Sequence, residues 1–166
     1  MKKRIVFLFT LLCLCLSGCG KDQKLEEYNE NISTFTQNIA DISIRMEEID
    51  TSSNTAASEV LACLDELQAQ FLVLAEMEVP KEFASIENLA DEASEYMTEA
   101  VRLYHEVFEA EEYPEETASI AQENYNRAMK RLSYISSLLQ GELPEGDDII
   151  ITEEDVLDFE PVTEEP

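Results

Sequence analysis

Side chains able to do chemistry are scarce in this 166-residue chain. It has one histidine, His105, and of its 4 cysteines Cys13, Cys15 and Cys19 crowd near the N-terminus, which leaves Cys63 alone in the body. A thiol nucleophile needs a base within hydrogen-bond reach. If Cys63 and His105 lie on antiparallel helices joined near Val79, Cys63 is level with about residue 96 and His105 is roughly 13 Å further along the axis, so the two stay apart. Cys63 then reads as a small buried residue beside Leu64 and Leu67, and His105 as a surface neighbour of Glu109 one turn on. A di-metal carboxylate centre needs two Glu-x-x-His pairs, but the one histidine has Arg102 at that spacing. No Cys-x-x-Cys-His run offers covalent haem attachment. Met46, Met77, Met97 and Met129 follow apolar stripes or their flanks and read as core filling. The 4 glycines stand at 18, 20, 141 and 146. The span between Lys21 and Gln140 therefore has none for a phosphate-cradling loop or a strained nucleophile turn. No catalytic residues and no diffusible cofactor are expected.

Charge is abundant, with 37 acidic residues against 11 basic ones and a net −26. Such a surface repels nucleic acid and bare anionic lipid, and favours cations and basic proteins or peptides. Glu47, Glu48 and Asp50 are expected to meet Glu109, Glu111, Glu112, Glu115 and Glu116 at one end of the fold. Hard cations take clusters of carboxylate oxygens, and a basic partner would also be drawn there, with Tyr113 as an aromatic anchor. No calcium-loop spacing is present, so a solvated, helix-capping set of glutamates is the simpler reading. Tyr96, Tyr104, Tyr125 and Tyr134 are the residues around which a small-molecule pocket would form. Arg127, Lys130 and Arg131 oppose the many acids elsewhere and are expected to pair across the fold.

The N-terminus carries an address. Lys2, Lys3 and Arg4 precede an uncharged stretch from Ile5 to Leu16, which is the layout of a signal peptide and shorter than the roughly 20 apolar residues of a membrane span. At its end Leu16-Ser17-Gly18-Cys19 resembles the lipobox of bacterial lipoproteins. That resemblance implies cleavage before Cys19 and a covalent diacylglycerol on its thiol, and two acyl chains suffice for stable anchoring. The mature chain would keep 8 basic residues against 37 acidic ones, a net −29. Only Cys63 would keep a free thiol, so no internal disulfide is available.

Elements that could position these groups are read from periodicity. Leu25, Tyr28, Ile32, Phe35, Ile39, Ile42, Met46 and Ile49 alternate at spacings of three and four, as one face of a helix does. Equivalent stripes run through Ala57, Val60, Leu64, Leu67, Phe71 and Leu74, through Phe83, Ile86, Ala90, Ala93, Met97, Ala100, Tyr104 and Val107, and through Ala121, Tyr125, Ala128, Leu132, Ile135 and Leu139. Asp50-Thr51-Ser52-Ser53-Asn54 offers N-caps, Pro80 and Pro114 suit first helical positions, Glu82, Glu115 and Glu116 suit the helix dipole, and Gly141 suits the residue past a helix end. Helices near 23–49, 54–78, 80–111 and 115–140 follow. Short connections force neighbours to run antiparallel, which predicts an all-α, up-down-up-down four-helix bundle over 23–140. A longer hairpin that completes its core as a homodimer is the alternative.

The remaining segments are residues 1–18 as signal peptide, 19–22 as a lipidated tether, and 141–166 as an acidic tail, expected to be disordered on composition. The chain is similar to small, acidic, all-helical lipoproteins of Gram-positive bacteria. The likeness implies an extracytoplasmic, lipid-anchored location at the cell membrane, or at the outer membrane in a cell with two, since Gly20 supplies no aspartate retention signal. Membrane contact through the lipid, another envelope protein or a basic ligand are the partners expected.

Overall fold

The computed structural model describes residues 19–142. The signal-peptide region with Leu16, Ser17 and Gly18, and the acidic tail from residue 143, lie outside the described residues. Four helices, α1 (Cys19–Glu47), α2 (Ala56–Glu76), α3 (Ala84–Glu109) and α4 (Glu115–Leu139), follow one another, with a 3₁₀ turn at Lys81–Phe83 leading into α3. Cross-helix pairs fix their directions. Asn38 and Arg45 of α1 meet Gln70 and Glu66 of α2, and Tyr104 and Glu92 of α3 meet Gln122 and Arg131 of α4. Later residues meet earlier ones each time, so the described residues form an antiparallel four-helix bundle.

The apolar stripes turn inward. Phe71, Leu67, Leu74, Ile86, Met97 and Ile135 are the largest fully buried side chains, joined by Tyr28, Phe35, Ile39 and Ile42 of α1. Burying a side chain of this size stabilises the fold by about 1.5–3 kcal/mol, which is what holds helices carrying so many exposed charges. Residue size sets how closely the backbones approach. Ala93, Ala100, Ala121 and Ala128 are fully buried on α3 and α4, and these two helices run close along most of their length. Approach is less extensive between α2 and α3 and least between α1 and α2, where Phe35 meets Phe71 edge-to-face at 5.9 Å. Helix α1 and helix α4 barely approach at all.

Boundaries differ from expectation in instructive ways. Helix α1 starts at Cys19, so residues 19–22 are helical and continuous with it. Asp50 builds a local turn, accepting from the Ser52 amide at 2.9 Å and the Ser52 hydroxyl at 2.7 Å, while Thr55 takes the N-cap position of α2 without a side-chain cap bond. Pro80 and Pro114 sit one residue before their helical turns, in non-helical backbone. Gly141 meets its expectation. Its φ is 73°, its N–H bonds to Leu138 at 3.0 Å and the Glu142 N–H bonds to Ser137 at 2.9 Å, the paired bonds of a Schellman motif.

The α2–α3 register also departs from the reading of the sequence. Met77 and Pro80 are extended, with ψ of 133° and 148°, so the chain continues along the bundle before α3 begins. Asp65 consequently meets His105 rather than a residue near 95, a shift of about ten residues or roughly 15 Å.

Candidate functional site

That shift puts Cys63 and His105 at similar heights, contrary to the simple hairpin estimate, yet no hydrogen bond joins them. His105 Nε2 lies 2.7 Å from Asp65 Oδ1 on a solvent-exposed face, while Cys63 is a buried free thiol in the core. The partner of His105 is therefore Asp65 on the neighbouring helix, where Glu109 on its own helix was expected.

The carboxylates proposed for a cation do not converge. Among the described residues no three Asp, Glu, Cys or His side chains form a group that could hold a metal ion. Glu47, Glu48, Asp50, Glu109, Glu111, Glu112, Glu115 and Glu116 are spread over exposed helix ends or loops. Asp50 is held below the usual carboxylate range by the hydroxyl and amide of Ser52, which accounts for its conformation without an ion.

Three of the four tyrosines, Tyr96, Tyr104 and Tyr134, are likewise occupied. Arg127 and Arg131 stack over Tyr96 at 5.6 and 5.8 Å from the ring centroid, Lys130 and Arg131 over Tyr134 at 5.6 and 5.7 Å, and the Tyr104 hydroxyl donates to Gln122 at 3.0 Å. Arg131 is the surprise. Its side chain is only 7% exposed and its Nε donates to Glu92 at 2.5 Å, tying α4 to α3. A guanidinium can be buried this way because its planar faces stack on rings while its edge meets a carboxylate. The sequence placed Arg131 among the pairing residues but gave no sign that it is inside, since its stripe neighbours at 128, 132 and 135 already filled the apolar face. The other cross-helix pairs, Lys24 with Glu78 and Arg45 with Glu66, stay exposed.

The open surface lies elsewhere. Between α1 and α2, at the end that holds Lys24, Met77 and Lys81, a groove of about 740 Å³ runs alongside Asn31, Phe35, Asn38 and Val73. Its existence follows from packing. Helices α1 and α2 approach least of the consecutive pairs, and residues 77–80, with extended backbone at Met77 and Pro80, form one wall. The lining is mostly apolar, with Asn38 and Gln70 already paired to each other at 2.9 Å. Tyr28 contributes to the wall. Its ring is 2% exposed and stacks on Phe83 at 6.0 Å, and its hydroxyl is buried without a hydrogen-bond partner. Desolvation pushes its pKa up to about 12, which keeps the phenol neutral and able to donate. Sequence reasoning placed Tyr28 in the core stripe and had no signal for a groove that depends on register.

The chain matches no protein-family model, no curated protein and no solved structure. A shallower depression of about 480 Å³ at the opposite end lies by Phe108 and Tyr113. Tyr113, the sequence-derived anchor, is 71% exposed there. None of the described helices is long and apolar enough to cross a membrane.

Proposed function

We propose that the protein is a non-enzymatic binding or scaffold module of the bacterial cell envelope, tethered by a diacylglyceryl group on Cys19 and engaging its partner through the α1–α2 groove. The groove is the observation that carries this reading. It is open and mostly apolar in its exposed surface. The signal-peptide layout and Leu16-Ser17-Gly18-Cys19 support the tether and an extracytoplasmic location. Lys24, at the near end of the groove, is five residues from Cys19, or about 8 Å along a helix, so a partner would be met close to the lipid. Catalysis has no converged nucleophile, base or carboxylate group behind it among the described residues. The second reading is a small-molecule sensor, because the groove volume falls within the range of ligand sites.

The test is a photo-crosslinking residue at Val73, 49% exposed in the groove, compared with one at Ile120 on α4, in cells that make the protein. A discrete adduct at 73 and none at 120 is expected. A low-mass adduct would favour the sensor, and no adduct at either position would overturn the binding role. In the same cells Cys19→Ala should move the protein out of the membrane fraction; unchanged retention would refute the lipid tether.

A further inference from the structure

We infer that the α1–α2 groove is the seat of a basic, amphipathic helix from a partner protein. This rests on the binding-module reading and adds the chemistry of the partner. Two antiparallel helices with an apolar floor between them make a trough for a third, the arrangement by which amphipathic helices are commonly taken up. From Lys24 to Asn38 the trough is about 21 Å long, which accommodates roughly four helical turns. Phe35, Val73, Met77 and Val79 offer apolar contacts at its floor and walls.

Charge selects the sign of the visitor. Lys24 is engaged by Glu78 and also feels Glu27, the lining sets Glu27, Glu76 and Glu78 against Lys24 and Lys81, and the chain as a whole carries −26. A basic segment is steered towards such a molecule and an acidic one is turned away. The Tyr28 hydroxyl is not a fixed point for the visitor. It has no partner among the described residues but lies buried behind the groove wall, so what Tyr28 offers an incoming helix is part of the wall's apolar surface. Shape, apolar floor and charge therefore agree on one class of occupant.

The test uses the full chain in phosphatidylcholine nanodiscs, titrated into a labelled leucine-lysine peptide of about five turns whose leucines form one helical face. An isomer of the same composition with scattered leucines is the comparison, and empty discs are the blank. Val73→Glu places a carboxylate on the groove at an already half-exposed position, and Ile120→Glu adds the same charge to α4, so both variants should fold and attract the peptide equally by charge alone. The amphipathic isomer is expected to bind in preference, with Val73→Glu weakening it about tenfold and Ile120→Glu leaving it within about twofold. Replacing Glu27 and Glu76 by glutamine should flatten the salt dependence. Equal binding of the two isomers, equal behaviour of the two glutamate variants, or no binding at all would each overturn the proposal. A protein adduct at Val73 in cells alongside a failed peptide titration removes the basic helix and keeps the binding module; absence of any adduct removes the module itself.

Discussion

Tyr28→Phe isolates a single buried oxygen. The Tyr28 hydroxyl has no partner among the described residues, and leaving a buried donor unsatisfied costs about 1–3 kcal/mol. Phenylalanine keeps the ring, its stacking on Phe83 at 6.0 Å and nearly all of its volume. The substitution should therefore stabilise the fold by about 1–2 kcal/mol, which for a domain of this size is a rise in Tm of roughly 3–8 °C. A second signature is pH dependence. Because the folded pKa is raised from 10.0 to about 12, the neutral phenol is favoured in the folded state. That component of stability is fully present below pH 10 and is lost as the pH climbs through 12, with an upper bound of about 3 kcal/mol. Burial raises Tyr125 and Tyr104 as well, so alkaline destabilisation persists in the variant but becomes shallower. Urea unfolding between pH 7 and 12 reads both effects. A Tyr28→Phe protein that is less stable at pH 7, with an unchanged alkaline slope, would refute the view that this hydroxyl is buried and unserved.

Three further outcomes follow from the packing. Arg131→Ala removes the bond to Glu92 and the stacking on Tyr96 and Tyr134 and opens a hole between α3 and α4. Since Glu92 is half exposed and can rehydrate, the loss should be about 2–4 kcal/mol in urea unfolding, below the extreme for an abandoned buried charge. Gly141→Ala forces a Cβ into φ 73° and should cost about 1 kcal/mol, whereas Gly141→Asn should cost less, as denaturation midpoints will show. Native-state hydrogen exchange should grade the helices, with amides of α3 and α4 protected most and those of α1 least, following the order of backbone approach. Equal protection of all four helices would contradict that order.

Much of the architecture is legible in residue spacing, and the exceptions have specific causes. The stripe from Leu25 to Met46 maps onto α1, with Ile49 two residues past its end, because a helix buries one face regardless of its partners, and Tyr28, Phe35, Ile39 and Ile42 are buried in the structure. Gly141 is legible because a positive φ has a near-unique residue preference. The cap run at 50–54 misled since Asp50 satisfies Ser52 locally, which competes with capping. Register is the larger gap. Whether the chain at 77–80 reverses tightly or runs on is decided by ψ at Met77 and Pro80, and periodicity is silent about ψ in a link. From that one link come the His105–Asp65 pair and a wall of the groove. The burial of Arg131 escaped for a different reason: it depends on two tyrosine faces and one carboxylate meeting in space, which no linear spacing encodes.

The graded approach of the helices has a mechanical meaning once the proposed anchor is considered. Tension on Cys19 loads α1, the helix whose backbone is least engaged by its neighbours, while the alanine seam of α3 and α4 lies furthest along the chain from the point of pull. A bundle loaded in this way yields by peeling away its first helix before the rest gives. The groove, built on that helix, comes apart with it. A partner seated there would brace the weakest leaf of the molecule, and drag on the lipid would in turn loosen the partner.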